Sequence, residues 1–150
     1  SFKAHTDIIT ECLELSGCDM MATASLDGFI RIWNLEDYRF KTQLEDLEAK
    51  KQSKAQAGGR NIHGVRTMSY TPAFGGFLVS AGYHSYISVW SPDSSLSKAY
   101  LGKLEGHSGI VVSCKIFPNS TNCISVDDKF NIRLWELRTF LPIQTIRNEA

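Results

Sequence analysis

Three side chains that together form the catalytic triad of many hydrolases occur near the end of this chain. They are His107, Ser125 and Asp127. In such a triad the histidine accepts the serine proton and the aspartate orients the imidazole. No serine of the chain stands in a G-x-S-x-G segment, the sharp turn that exposes the nucleophile in one large class of hydrolases. The residue types admit a nucleophilic site, but the surrounding sequence does not support one.

A similar set of residues occurs near the start of the chain. His5 and Asp27 are present there, and the hydroxyl comes from Thr23 or Ser25. A catalytic site is seldom built twice in one chain, whereas a hydrogen-bond network recurs with the structural unit that it holds together. The pairing matters because a buried donor or acceptor without a partner costs about 1–3 kcal/mol. We therefore interpret both sets as structural, and we expect no enzyme activity.

A tryptophan follows each of three histidines at nearly constant separation. The pairs are His5 and Trp33, His63 and Trp90, and His107 and Trp135, which are 28, 27 and 28 residues apart. Each tryptophan ends a short run rich in β-branched residues, as in Ile30-Arg31-Ile32-Trp33. Self-similarity at this scale predicts a repeat architecture.

The repeats consist of short alternating segments separated by turn residues, and helical periodicity is nearly absent. This pattern is typical of β-strands. The strands are predicted over residues 8–15, 20–25, 29–33 and 38–44, then 65–70, 77–81, 86–90 and 97–104, and finally 110–117, 122–126, 130–135 and 141–146. The prediction is an all-β fold of three four-stranded antiparallel sheets.

One stretch, residues 45–61, does not fit the repeat. It is charged and rich in alanine, and it ends in Gly58-Gly59. We expect a short frayed helix or a disordered loop there. The predicted division of the chain is a first unit over about residues 5–44, this insertion over 45–61, a second unit over about 62–104 and a third over about 105–147.

The repeats resemble the WD40-repeat β-propeller family. The resemblance rests on Ser25-Leu26-Asp27-Gly28 before Trp33, and on Gly106-His107 before Ile132-Arg133-Leu134-Trp135. It is weaker in the second unit, where His84 stands at the position of the turn aspartate. In that family each unit is one propeller blade. Because closed propellers have four to eight blades, three units predict a fragment of a larger propeller. Its further blades would lie in the same or another chain.

The resemblance implies that a histidine, a strand serine or threonine, the turn aspartate and the tryptophan of each blade form a hydrogen-bonded tetrad. The implied members are His5, Thr23 or Ser25, Asp27 and Trp33, then His63, Ser80 and Trp90, and finally His107, Ser125, Asp127 and Trp135. The second set lacks the aspartate, so we expect that blade to depend more on apolar packing.

The resemblance also implies where partners bind. The expected surface is the narrow top face, close to the histidine-bearing loops and the turns before the third strands. The candidate partner-binding residues are Thr10, Leu26, Tyr83 and Val112. The expected partners are other proteins or peptides.

Composition excludes several classes of partner. Sixteen basic and sixteen acidic side chains cancel, so no net field favours nucleic acid or an anionic membrane, and we expect neither. Four cysteines, at positions 12, 18, 114 and 123, form no C-x-x-C pair, so we expect no metal and no cofactor. We expect Cys12 and Cys114 to be reduced and packed as small apolar residues, as in a cytoplasmic protein.

The function predicted from these features is a protein-interaction scaffold in a multiprotein assembly. Several strings, including His63-Gly64-Val65-Arg66, are similar to large multi-blade WD-repeat proteins of cilia and flagella, some of which carry EF-hands. A ciliary or axonemal assembly, and a location in the cilium or cytoskeleton, follow as expectations. The alternatives are a cytoplasmic substrate adaptor or signalling scaffold and, third, a non-catalytic part of a multidomain enzyme.

Overall fold

The strands of this protein form three separate antiparallel sheets of four. The computed structural model describes residues 3–17, 19–46, 64–92 and 99–147. The strands are β1 (Ile9–Leu15), β2 (Met20–Ser25), β3 (Phe29–Asn34), β4 (Phe40–Glu45), β5 (Val65–Thr71), β6 (Phe77–Gly82), β7 (Tyr86–Trp90), β8 (Tyr100–Glu105), β9 (Val111–Ile116), β10 (Asn122–Asp127), β11 (Ile132–Glu136) and β12 (Leu141–Ile146). Each consecutive set of four pairs in chain order. The predicted all-β fold of three four-stranded sheets is confirmed.

We refer to the sheets as blades 1, 2 and 3. Because each blade is a simple meander, its first and third strands begin at the same end. We call this end the top face, and it carries the turns β2–β3, β6–β7 and β10–β11. The opposite end is the bottom face. Only one helical segment occurs in the described residues, a 3₁₀ turn over Ala73–Gly75 on the bottom face of blade 2.

β4 and β11 each begin two residues later than the sequence predicts. Tyr38 and Phe130 have φ angles of 57° and 66°, a left-handed conformation that interrupts extended pairing. β4 therefore begins at Phe40 and β11 at Ile132. Alternation could not reveal this, because both residues are aromatic and suit a strand by type.

The blades pack face to face, with one apolar core at each interface. Between blades 1 and 2, Ile30, Ile32 and Leu44 pack against Met68 and Leu78. Between blades 2 and 3, the core contains Val79, Ala81, Ile87, Val89, Leu104, Val111, Cys114, Cys123, Trp135 and Leu137. Burying one such aliphatic side chain contributes about 1.5–3 kcal/mol. Each blade is thus stabilised mainly by its neighbour.

Blade 1 packs against blade 2 through one of its faces, and the equivalent face of blade 3 is exposed. Ile30 and Ile132 both lie three residues before a tryptophan and pair with Leu44 and Ile146 respectively. Leu44 is buried, but Ile146 is 47% exposed, and the adjacent Phe130 is 67% exposed. An open hollow of about 340 Å³ lies over these residues. Blade 3 therefore presents an unoccupied blade-packing face.

Several residues named in the sequence analysis lie outside the described part of the chain. They are residues 47–61 of the insertion, His63 and Cys18. Cys114 is buried as expected. The expectation for Cys12 is wrong, since Cys12 is exposed on β1. The described residues contain no helix long and apolar enough to cross a membrane.

Candidate functional site: the top face of three blades

In blade 1 a chain of hydrogen bonds joins an indole to a carboxylate. The Trp33 indole N–H donates to Thr23 Oγ1 over 3.0 Å. Thr23 Oγ1 lies 2.7 Å from His5 Nε2, and His5 Nδ1 lies 2.9 Å from Asp27 Oδ2. Because an indole N–H can only donate, the threonine oxygen accepts there. The Asp27 carboxylate can only accept, so His5 Nδ1–H donates to it, and the His5 ring joins the hydroxyl to the carboxylate.

Ser25 is outside this chain. Its Oγ accepts the backbone N–H of Asp27 at 3.1 Å and thereby fixes the β2–β3 turn. Of the two hydroxyls that the sequence left open, the structure places Thr23 in the network and Ser25 beneath the turn.

Blade 3 repeats the chain with different residues. Trp135 Nε1 donates to Ser125 Oγ at 2.8 Å, Ser125 Oγ lies 2.6 Å from His107 Nε2, and His107 Nδ1 lies 3.0 Å from Asp127 Oδ2. The carboxylate enters from another position: Asp27 stands six residues before its tryptophan, whereas Asp127 stands eight before. This works because residues two apart lie on one face of a strand, so Asp127 reaches the histidine from the same face as Ser125.

Donors surround both carboxylates. Burial alone would raise the pKa of Asp127, but N–H groups of Asn131 and Lys129 together with the His107 ring outweigh it and hold that pKa well below its usual range. The pKa of Asp27 is lowered in the same way, by Phe29, Thr6 and His5 against the effect of burial.

In His107, the histidine of blade 3, burial affects the pKa more strongly than hydrogen bonding does. Burial lowers the pKa of His107, although its hydrogen bond to Asp127 works against that shift. A neutral imidazole beside an ionised carboxylate agrees with the donor and acceptor order of the chain.

The blade 3 chain has the polarity of a hydrolase triad but not its accessibility. Ser125 is 1% exposed, and its oxygen already accepts the Trp135 indole N–H. Burial also raises the pKa of Cys123 to about 12, which leaves that thiol protonated at neutral pH. The described residues hold no cluster of three or more His, Cys, Asp or Glu side chains suited to a metal ion.

In blade 2 the predicted bond between tryptophan and serine is present, since Trp90 Nε1 donates to Ser80 Oγ at 2.8 Å. The predicted histidine, His63, lies outside the described residues. A carboxylate reaches this blade from blade 1: Asp46, directly after β4, accepts through Oδ2 from Tyr86 Oη at 2.7 Å and from Ser88 Oγ at 3.2 Å. Polar bonds thus cross the interface between blades 1 and 2, and the greater dependence of blade 2 on apolar packing stays a prediction.

His84, at the turn-aspartate position, stacks on Tyr86 with ring centroids 5.2 Å apart. A small cavity of about 20 Å³ lies between His84, Asp46, Ser80 and Trp90, enough for one water molecule. Sequence reasoning missed Asp46 because it belongs by sequence to the preceding repeat.

The first strand of each blade, which we call its innermost strand, carries a β-bulge at the top face. The pairing register skips one residue in β1, in β5 and in β9. The skipped residues are Thr10, Arg66 and Val112. A bulge re-aims its extra residue and is often found next to functional sites. Thr10 and Val112 are among the predicted partner-binding candidates, and Arg66 was not among them although it occupies the equivalent position of blade 2. Aligning Ile9-Thr10 and Val111-Val112 with Val65-Arg66 would have found it.

The turns of blades 1 and 2 meet at two glycines. A Cβ on Gly64 would lie 3.0 Å from Leu26 Cα, and one on Gly82 would overlap the carbonyl oxygen of Gly64. Gly64 thus separates Leu26 of the β2–β3 turn from Gly82, the residue directly before Tyr83. The Val111 N–H of blade 3 donates to the His84 carbonyl of blade 2 at 3.0 Å. Blade 3 therefore contacts blade 2 at the β6–β7 turn. We define the top patch as Thr10, Leu26, Arg66, Tyr83 and Val112.

A family model for the WD domain, G-beta repeat, matches residues 1–34 and 98–136. These two segments contain the hydrogen-bonded chains of blades 1 and 3. Over these residues the chain resembles the WD40-repeat family. The first three strands of blade 2, β5 to β7, lie outside the matched residues, and His84 stands at the turn-aspartate position of that blade.

Two solved WD40 structures share the fold. The WD40 repeats of RRP9 superpose with a TM-score of 0.77 at 16% identity, over 99% of this chain and 41% of that chain. The structure of U3-55K gives a TM-score of 0.78 at 17% identity, over 97% and 41%. This chain thus corresponds to about two fifths of each neighbour. It forms three blades of a larger propeller.

Two curated proteins are similar in sequence. Cilia- and flagella-associated protein 337 B of Tetrahymena thermophila is 22% identical over 147 residues, 98% of this chain and 10% of that protein. Eukaryotic translation initiation factor 3 subunit I of Vanderwaltozyma polyspora is 31% identical over 71 residues, 47% of this chain and 20% of that protein. This chain spans only a small part of either relative.

Proposed function

We propose that this chain is an interaction platform that binds partner proteins or peptides on the top patch. The observation that carries the proposal is the set of three bulges, which directs one side chain from each blade to the same end of the molecule. Leu26 and Tyr83 extend the set from the adjacent turns. Binding residues are commonly presented in this way, on loops held by a rigid scaffold.

The contacts between blades favour a rigid platform. Thr10 Oγ1 donates to the Val65 carbonyl of blade 2 at 2.7 Å. Glu11 Oε2 accepts the Met68 N–H of blade 2 at 2.7 Å, and Glu11 Oε1 lies 3.3 Å from Lys115 Nζ of blade 3. One carboxylate therefore links all three blades near the axis, directly beneath the top patch.

We further propose that the platform serves a multiprotein assembly of the cilium or flagellum. The support is the similarity over 98% of the chain to a cilia- and flagella-associated protein. A cytoplasmic substrate adaptor or signalling scaffold is the alternative, since the same top patch would serve it equally. The open face of blade 3 would contact a further blade of the same or another chain.

Affinity purification of the intact protein from ciliated cells tests both proposals. We expect tubulin and axonemal proteins to co-purify with the wild type, and Tyr83→Ala to deplete them. Phe74→Ala is the matched control, because Phe74 is also an aromatic residue stacked under an arginine (Arg138) but lies on the bottom face. Ligase or signalling subunits instead would support the alternative. Equal recovery with wild type and Tyr83→Ala would contradict the assignment of the top patch.

A further inference from the structure

The top patch contains one cation, at the middle of the three bulges. Arg66 occupies the position that is Thr10 in blade 1 and Val112 in blade 3. Its guanidinium carbon lies 5.1 Å from the centre of the Tyr83 ring. Stacking on an aromatic ring holds the planar guanidinium in place while its edge remains available for hydrogen bonds. Arg66 is thus a fixed charge rather than a freely moving one.

The neighbouring carboxylates of the described top face are engaged elsewhere. Asp27 and Asp127 bind their histidines. Asp128 accepts the Ile110 N–H at 3.0 Å, and Glu105 lies 3.0 Å from Lys103. Among the described residues no ion pair includes Arg66. The patch therefore presents a positive charge that no carboxylate of the described residues neutralises.

The surroundings of this charge are apolar and partly exposed. Leu26 and Tyr83 on one side and Val112 on the other are all half-buried. A guanidinium edge binds a carboxylate through two parallel N–H···O bonds, and the flanking side chains suit an apolar neighbour of that carboxylate. Such a combination fits a short peptide better than an isolated anion.

We propose that the top patch binds an acidic peptide segment, with an Asp or Glu carboxylate paired to Arg66 and an apolar residue of the peptide against Leu26 and Val112. This inference rests on the proposed function and specifies the chemistry of its partner. The free chain holds Arg66 on Tyr83, so little ordering remains to be done when the carboxylate arrives.

The test is peptide display on the intact protein, followed by fluorescence anisotropy with one enriched peptide. We expect enriched sequences to carry Asp or Glu next to an apolar residue. Arg66→Ala should weaken binding of such a peptide about tenfold or more, the effect of losing a charge-assisted hydrogen bond. Arg138→Ala is the matched control, because Arg138 stacks on Phe74 at the bottom face, and it should leave affinity unchanged.

A charge reversal keeps the test decisive if Arg66→Ala alters the patch more broadly. Display on Arg66→Glu should enrich Lys or Arg in place of Asp or Glu. Peptides that bind at Tyr83 but carry no acidic residue and tolerate Arg66→Ala would overturn the inference and leave the interaction platform standing. Binding of phosphorylated peptides only would overturn the carboxylate assignment. The absence of any enriched peptide would contradict the platform itself.

Discussion

At the scale of single residues, one hydroxyl is the centre of each polar chain. Ser125 accepts from Trp135 and lies within hydrogen-bond distance of His107, and Thr23 occupies the same position in blade 1. The residue types of this hydrogen-bonded chain were predicted through the family resemblance, which left Thr23 and Ser25 as alternatives. The separation of 10 residues between hydroxyl and tryptophan, the same in all three blades, would have selected Thr23. The source of the carboxylate could not be assigned by spacing alone, since Asp27, Asp127 and Asp46 reach their sites from three different backbone positions.

Removal of the central hydroxyl should destabilise the protein without affecting the bottom face. Ser125→Ala leaves the Trp135 N–H and His107 Nε2 buried and unpaired, so we expect the free energy of unfolding to fall by about 2–4 kcal/mol. Urea denaturation of the intact protein measures this. Ser125→Thr is the matched control, because blade 1 uses threonine there, and it should cost far less. Equal stability of Ser125→Ala and wild type would refute the structural role of the chain.

The depressed pKa of Asp127 makes part of the stability dependent on pH. Its carboxylate is ionised more readily in the folded state than in the unfolded state, so its contribution is complete above the unfolded pKa of about 3.9 and is lost as pH falls below that value. Asp127→Asn should therefore destabilise by about 1.5–3 kcal/mol at pH 7. The difference from wild type should shrink below about pH 4, as measured by urea denaturation across pH.

The exposed Glu14→Gln serves as the control for that series and should show no such convergence. A difference between Asp127→Asn and wild type that stays constant from pH 7 to pH 3 would mean that the charge of Asp127 does not contribute.

At the scale of strands, most elements follow from alternation and turn residues, and the exceptions have local causes. Met20–Ser25, Tyr86–Trp90 and Leu141–Ile146 have the predicted bounds. The bulges at Thr10, Arg66 and Val112 could not be predicted, because a bulge depends on the register with the partner strand and not on composition. For the same reason the positive φ angles of Tyr38 and Phe130 are invisible to a pattern of residue types.

The hydrogen bond from the Met68 N–H of β5 to Glu11 of β1 predicts a local change in hydrogen exchange when Glu11 is replaced. The Met68 N–H, in a fully buried residue, is held by Glu11 of the neighbouring blade. Glu11→Ala should leave that amide unpaired, and we expect its hydrogen exchange to accelerate by about tenfold or more, in line with a loss of about 1–3 kcal/mol. Exchange mass spectrometry of the intact protein reads this in peptides covering β5. Glu14→Ala, an exposed change on the same strand, should have no effect there.

At the scale of the whole molecule, blades 1 and 3 differ in whether the same face of the blade is covered. Blade 1 buries Ile30, Ile32 and Leu44 against blade 2, whereas the equivalent face of blade 3 is open. The sequence predicted this incompleteness from blade number alone. The top face was predicted as the partner surface only through the family resemblance and stays a proposal, which the bulges and the Gly64–Gly82 contact support.

The open face makes a further prediction about neighbouring blades. Ile146→Glu introduces a charge at the centre of the hollow next to Phe130. If a further blade packs there, the intact protein should lose stability by several kcal/mol, because an unpaired charge would be buried. Melting temperature measures the effect, and Ile9→Glu on the innermost strand is the control. A melting temperature unchanged by Ile146→Glu would show that the face is solvated in the intact protein.

The most direct test of the interaction platform is a hydrogen-exchange footprint of the intact protein with and without a partner captured from cells. The account predicts slower exchange at the β2–β3 and β6–β7 turns and at the starts of β1, β5 and β9, with no change at the β1–β2 and β5–β6 turns. Protection confined to the bottom-face turns would contradict it.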